Sequence, residues 1–364
     1  IKESSSISVS AMTACGSVLT TGTRYWKVLT YDNSQAEGSV TANQTLTITA
    51  TPTAPTVGTT SSINETGTTI GWTDNASSET GFEVEQSTDG VVFTNITTTA
   101  ANAVSYDATS LSPNTQYTFR VRGTSGGGQS SYTTSAAIYT LANVPASPTV
   151  TAPSASSINV VINENSNPAA TEFAIQIGAN YVQANGTLGV AAVWQTKTNW
   201  GGSSGKNITG LSPNAAYAVT VKGKNGSGTE TGASSAVTRY TLTNTPAISI
   251  SASTATGITL SLDENGNPGT TLYAIQIGSS YVQANGSLGA SAVYQTGSTW
   301  GGNSISVNSL TSATSYNVTV IGKNGDNSTE NGTGSTVATE TKANPPTSLE
   351  IPTTTSSSIT LSWD

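Results

Sequence analysis

A near-copy of one stretch of the chain recurs about one hundred residues further on, and this repeat constrains the fold more than any other feature. Phe173-Ala-Ile-Gln-Ile-Gly178 returns as Tyr273-Ala-Ile-Gln-Ile-Gly278, and Tyr181-Val-Gln-Ala-Asn-Gly186 returns as Tyr281-Val-Gln-Ala-Asn-Gly286. The register persists through Trp200-Gly-Gly and Trp300-Gly-Gly, then through Val221-Lys-Gly-Lys-Asn-Gly226 and Val320-Ile-Gly-Lys-Asn-Gly325. A repeat of this length is a whole domain, so two sister domains lie head to tail.

Within each unit, apolar and polar residues alternate between turn signals. Phe82 and Val84 flank Glu83 and precede Glu85, and Tyr117, Phe119 and Val121 alternate with Thr118 and Arg120. This period of two predicts half-buried antiparallel strands. Asp89-Gly90, Asn185-Gly186 and Asn285-Gly286 sit where tight hairpins need residues that tolerate positive φ. No segment has convincing helical spacing. The expected fold is all-β, a tandem of small immunoglobulin-like sandwiches with proline-marked junctions. The predicted boundaries are a partial or abbreviated unit at 1–52, full domains at 53–143, 144–243 and 244–343, and the first strands of a further domain at 344–364.

Specific motifs then give the sandwiches a family resemblance. Leu111-Ser-Pro-Asn-Thr-Gln-Tyr117 and Leu211-Ser-Pro-Asn-Ala-Ala-Tyr217 resemble the corner before strand F of fibronectin type III domains; Leu310 to Tyr316 keeps the spacing without the proline. Trp72 resembles the strand B tryptophan of that family, and Gly81-Phe-Glu-Val-Glu85 its strand C. The resemblance implies that the corner leucine enters the core and that the tyrosine hydroxyl ties back to nearby backbone. The sister domains depart from the pattern: Ile162 and Leu262 stand near the place of the strand B tryptophan, and a longer excursion after strand C ends in Trp200 or Trp300. They look like a divergent bacterial branch.

Composition narrows the chemistry. The 364 residues contain no histidine and one cysteine, Cys15, which excludes histidine triads, imidazole metal sites, CxxC redox pairs and internal disulfides. Only 9% of residues are charged, the net charge is -8, and the few basic residues are scattered, which disfavours nucleic acid. No apolar run is long enough to span a bilayer. A hydroxyl-rich, weakly charged surface suits an extracellular or cell-surface location. Asn-x-Ser/Thr sequons run from Asn43 to Asn331, but a chain this rich in serine and threonine supplies nearly as many by chance.

Asp263-Glu264, Glu83 with Glu85, and Asp74 with Glu79 are the only acid clusters, and solvated surface placement is the expected reading for each; no catalytic residue is predicted. The turns Asn163-Glu164-Asn165 and Asp263-Glu264-Asn265 offer hard oxygen ligands for calcium, or simply hold a turn before proline. Tyr181, Trp194, Trp200, Tyr281, Tyr294 and Trp300 form either a sugar-stacking set or packing beneath the lengthened excursion. Tyr25, Trp26 and Val28 near one end, and Ile359, Leu361 and Trp363 near the other, read as apolar strands without a complete local partner. Two explanations remain open for them: a chain cut from a longer array, or strands that complete a neighbouring copy.

The expected function is a non-enzymatic structural or adhesive repeat that binds other copies of itself, in a bacterial surface layer, sheath or filament. The alternative is a spacer, or an accessory region that binds extracellular polysaccharide, within a larger secreted protein.

Overall fold

A computed structural model describes residues 22–26, 44–329 and 333–363, with side chains from residue 49 onward except at Thr333. The chain divides into two compact units, 1–143 with 225–229, and 144–224 with 230–364. The first unit contains one complete sandwich and the second contains two. All three pair a three-stranded antiparallel sheet with a larger one.

In the first sandwich, Thr68–Thr73 lies between Thr56–Ser61 and Ser105–Ala108. The facing sheet runs through Thr94–Thr98, Gly81–Ser87 and Gln116–Ser125. Alternation explains which faces meet. Ile70 and Trp72 point inward from one sheet, and Phe82, Val84, Phe119 and Val121 from the other, closing a core with the Leu111 corner. The Trp72 and Phe82 rings stand 5.5 Å apart. The predicted hairpin at Asp89-Gly90 forms: Gly90 takes φ 71°, and the Asp89 carboxylate accepts from the amides of Val91 and Val92.

The second and third sandwiches share one plan. Ser157–Asn163 and Ile258–Asp263 are the middle strands of the small sheets, while Glu172–Ile177 and Leu272–Ile277 pair with the long strands Ala216–Lys224 and Ser315–Lys323. Trp200 and Trp300 resolve the missing strand B tryptophan. Each reaches the core from the end of the lengthened excursion, 1% and 7% exposed, and donates its indole N–H to the carbonyl of residue 173 or 273. Indole volume is therefore supplied from a turn in these two sandwiches and from a strand in the first. The glycine after each tryptophan, Gly201 at φ 97° and Gly301 at φ 95°, permits the sharp exit.

All three corners close as the resemblance implied. The hydroxyls of Tyr117, Tyr217 and Tyr316 accept from the amides of Ser112, Ser212 and Thr311 at 3.0, 2.9 and 2.9 Å. A bond of this kind is worth about 1 kcal/mol net. Tyr117→Phe should therefore lower the unfolding free energy of the first sandwich by about 1 kcal/mol and speed hydrogen exchange at the Ser112 amide, with the Ser212 amide as internal reference.

Candidate functional site

The acid clusters of the first sandwich are covered rather than solvated. Glu83 and Glu85 point away from the core, but Arg122 and Arg120 lie over them in ion pairs. The Arg120 guanidinium is in turn held 4.1 Å from the Phe93 ring centroid and 4.0 Å from that of Tyr132. Hydrogen bonding from Arg122 lowers the Glu83 pKa, and burial with the bond to Glu85 pushes the Tyr132 hydroxyl up to about 12. These groups neutralise one another and pack the outer face. Asp74 holds a turn by accepting from the Ala76 amide, and Glu79 accepts from the Asn102 amide.

The two oxygen-rich turns work as straps. Asn163 and Asp263 accept from the amides of Asn165 and Asn265. Asn165 and Asn265 donate to the carbonyls of Val144 and Thr245 in the segments that lead into their sandwiches. Glu164 pairs with Lys197 at 3.1 Å, whereas Glu264 has no such partner. Among the described residues, no three of His, Cys, Asp and Glu come together as a metal-ligand group.

Burial takes Trp200 and Trp300 out of any surface platform. Tyr181, Trp194, Tyr281 and Tyr294 remain half-buried. Lys224 lies 5.0 Å from the Trp194 ring centroid and Lys323 lies 4.3 Å from that of Tyr294. Burial raises the Tyr294 pKa, with Tyr281 adding to the shift.

At the ends, Gly22–Trp26 pairs with Gln44–Ile48, and Leu349–Thr354 with Ile359–Trp363. Ile359, Leu361 and Trp363 are exposed, as are Leu349 and Ile351. Tyr25 and Trp26 fall on the first pair, whose side chains are not described, and Val28, like Cys15, lies outside the described residues.

A densely bonded polar site that no single motif announces is the joint between the second and third sandwiches. Asn324, 4% exposed, opens the last hairpin loop of the third sandwich and donates through Nδ2 to the carbonyl of Thr241, at the end of the second. Its Oδ1 accepts from the amides of Asp326 and Ser328, so the loop is held in shape by the same side chain. Gly325 N donates to Asn214 Oδ1 at 2.8 Å, on the corner of the second sandwich, and Asn214 Nδ2 donates to Thr271 Oγ1 at 2.9 Å. A Cβ on Gly325 would collide with the Tyr240 ring, so only glycine allows this approach. Asp326 adds a bond from the Tyr240 amide and an ion pair with Arg239.

The same bonds recur in the first unit. Asn225, also 4% exposed, donates to the Thr140 carbonyl; Gly226 N donates to Asn114 Oδ1; and Asn225 Oδ1 accepts from the amides of Ser227 and Thr229. The readable signal was the recurrence of Lys-Asn-Gly in the loops together with Ser-Pro-Asn at the corners. The third sandwich has Ala313 at the corner position, which offers no side-chain acceptor.

Truncating a buried asparagine that satisfies three backbone groups costs about 2–3 kcal/mol. Asn324→Ala should split the calorimetric melting of the second and third sandwiches into separated transitions. Paired with Asn214→Ala in a double-mutant cycle, it should give a non-additive coupling.

Residues 52–140 match the family model described as the fibronectin type III domain. No curated protein matches the chain. Among solved structures, the chain is similar to the FN1-FN3 domains of chicken CNTN1, with 17% identity, 80% of this chain and 99% of that one covered, and a TM-score of 0.27. It is also similar to a two-domain fibronectin type III segment of chicken tenascin, with 16% identity, coverage of 52% and 99%, and a TM-score of 0.35. The chain is an all-β tandem of immunoglobulin-like sandwiches, of which residues 52–140 match the fibronectin type III domain.

Proposed function

We propose that the chain is a non-enzymatic, extracellular structural or adhesive repeat that assembles with other copies of itself into a bacterial surface layer, sheath or filament. The observation that carries this reading is the joint. Asn324, Gly325 and Asn214 bond consecutive sandwiches through their ends, so force on one is passed to the next through several hydrogen bonds as well as the linker. Low charge supports close approach between copies, because 9% charged residues leave little long-range repulsion. The hairpin of Leu349–Thr354 and Ile359–Trp363 exposes Leu349, Ile351, Ile359, Leu361 and Trp363, an apolar surface suited to strand-mediated contact.

A second reading, a spacer or polysaccharide-binding accessory region of a larger secreted protein, is favoured by the half-buried Tyr181, Trp194, Tyr281 and Tyr294. Electron microscopy of the purified chain and of native cell-surface material separates the two. Self-assembly predicts ordered filaments or sheets that Leu361→Ser with Trp363→Ser abolishes. Dispersed monomers in both preparations, retained on polysaccharide through Trp194 or Tyr294, would establish the second reading instead.

A further inference from the structure

The glycine that lets the joint close also makes it chemically vulnerable. In an Asn-Gly pair no Cβ shields the following backbone nitrogen, so that nitrogen can turn back and attack the asparagine side-chain carbonyl. Asn185-Gly186, Asn285-Gly286 and Asn324-Gly325 are such pairs. They differ in what holds the glycine amide. Gly186 and Gly286 each donate within their own hairpin, to the carbonyls of Gln183 and Gln283 at 2.9 Å. Gly325 donates instead to Asn214 Oδ1 at 2.8 Å, on another sandwich, so this bond lasts only while the joint is closed.

The two ends of the Asn324 amide depend on different partners. Its Oδ1 accepts from the amides of Asp326 and Ser328 at 3.1 and 2.8 Å, inside its own loop. Those donors draw electron density from the side-chain carbonyl carbon, as donors in an oxyanion hole do, and they do not involve the second sandwich. Nδ2, the group that deamidation expels, donates to the Thr241 carbonyl at 3.1 Å across the joint. Opening the joint therefore frees both the attacking nitrogen and the departing one, while the carbon between them stays polarised.

We propose that Asn324 is a deamidation site gated by the joint, which makes the joint a one-way latch. Gly325 N bonds to Cγ of Asn324, the Cγ–Nδ2 bond breaks, and ammonia leaves with the proton from Gly325 N. Water then opens the cyclic imide at either carbonyl and leaves aspartate or isoaspartate. The product has no side-chain N–H for the Thr241 carbonyl and presents carboxylate oxygens in its place, so the original bonds cannot re-form. A joint that opens briefly recloses, whereas one held open long enough to react stays loose. The latch lies within one chain and does not depend on self-assembly.

Incubation of the full chain in mildly alkaline buffer, followed by peptide mass spectrometry with isoaspartate resolved chromatographically, tests the proposal. Asn214→Ala should raise the deamidation rate at Asn324 about tenfold, the effect of losing one hydrogen bond that holds the joint. Asp326→Ala removes the acceptor of the Tyr240 amide and the ion pair with Arg239, leaves Asn214 in place, and should raise the same rate by a separate route. The rate at Asn285 should be the same in the parent and both variants. Asn324→Asp, which mimics one product, should melt in two separated transitions by calorimetry, and circular dichroism shows that each variant is folded. Equal rates at Asn324 in the parent and both variants, including no detectable reaction in any of them, overturn the gating. A single parent-like transition in Asn324→Asp overturns the latch.

Discussion

At the joint, a buried asparagine amide satisfies backbone groups that no strand can reach. The last carbonyl of a sandwich and the loop amides of the next point out of their own ladders, and leaving them dry and unpaired is expensive. Asn324 addresses both: its Nδ2 takes the outgoing carbonyl of Thr241, while its Oδ1 holds the loop amides of Asp326 and Ser328. Asn214 takes the Gly325 amide and reaches Thr271. Asparagine is required because it is donor and acceptor at once; an aspartate would present a negative oxygen to the Thr241 carbonyl. Glycine follows because the loop must pass against the Tyr240 ring.

Much of this was legible in the sequence, and for physical reasons. Alternation at Tyr117, Phe119 and Val121 reports a sheet face directly, and all three are buried. The corner motifs carry the family resemblance, and Tyr117, Tyr217 and Tyr316 close as that resemblance implied. The joint was not legible in the same way. Lys-Asn-Gly and Ser-Pro-Asn are both ordinary turn chemistry, and residues some hundred positions apart meet only once the sandwiches stack. Charge was misleading too. Glu83 and Glu85 occupy outward positions of a strand, yet Arg120, Arg122 and Tyr132 from neighbouring strands fold over them.

The internal repeat separates what the fold demands from what is free to vary. Both sister domains place a tryptophan at the end of the excursion and bond its indole to the same carbonyl, so that device belongs to the core. Both use the turns near Asn165 and Asn265 to strap the incoming segment. Lys197 and Gly297 differ at one position of that shared frame and change the charge beside it. A sandwich built on common packing thus tolerates a change of charge at its end.

Alignment of the second and third sandwiches in a dilute liquid crystal, followed by backbone residual dipolar couplings, tests the coupling most directly. If Asn214 and Asn324 lock the joint, the couplings of residues 144–243 and 244–343 fit one alignment tensor in the parent chain and two in Asn324→Ala. Two distinct tensors in the parent chain would contradict the account, since the hydrogen bonds would then leave the sandwiches free to reorient.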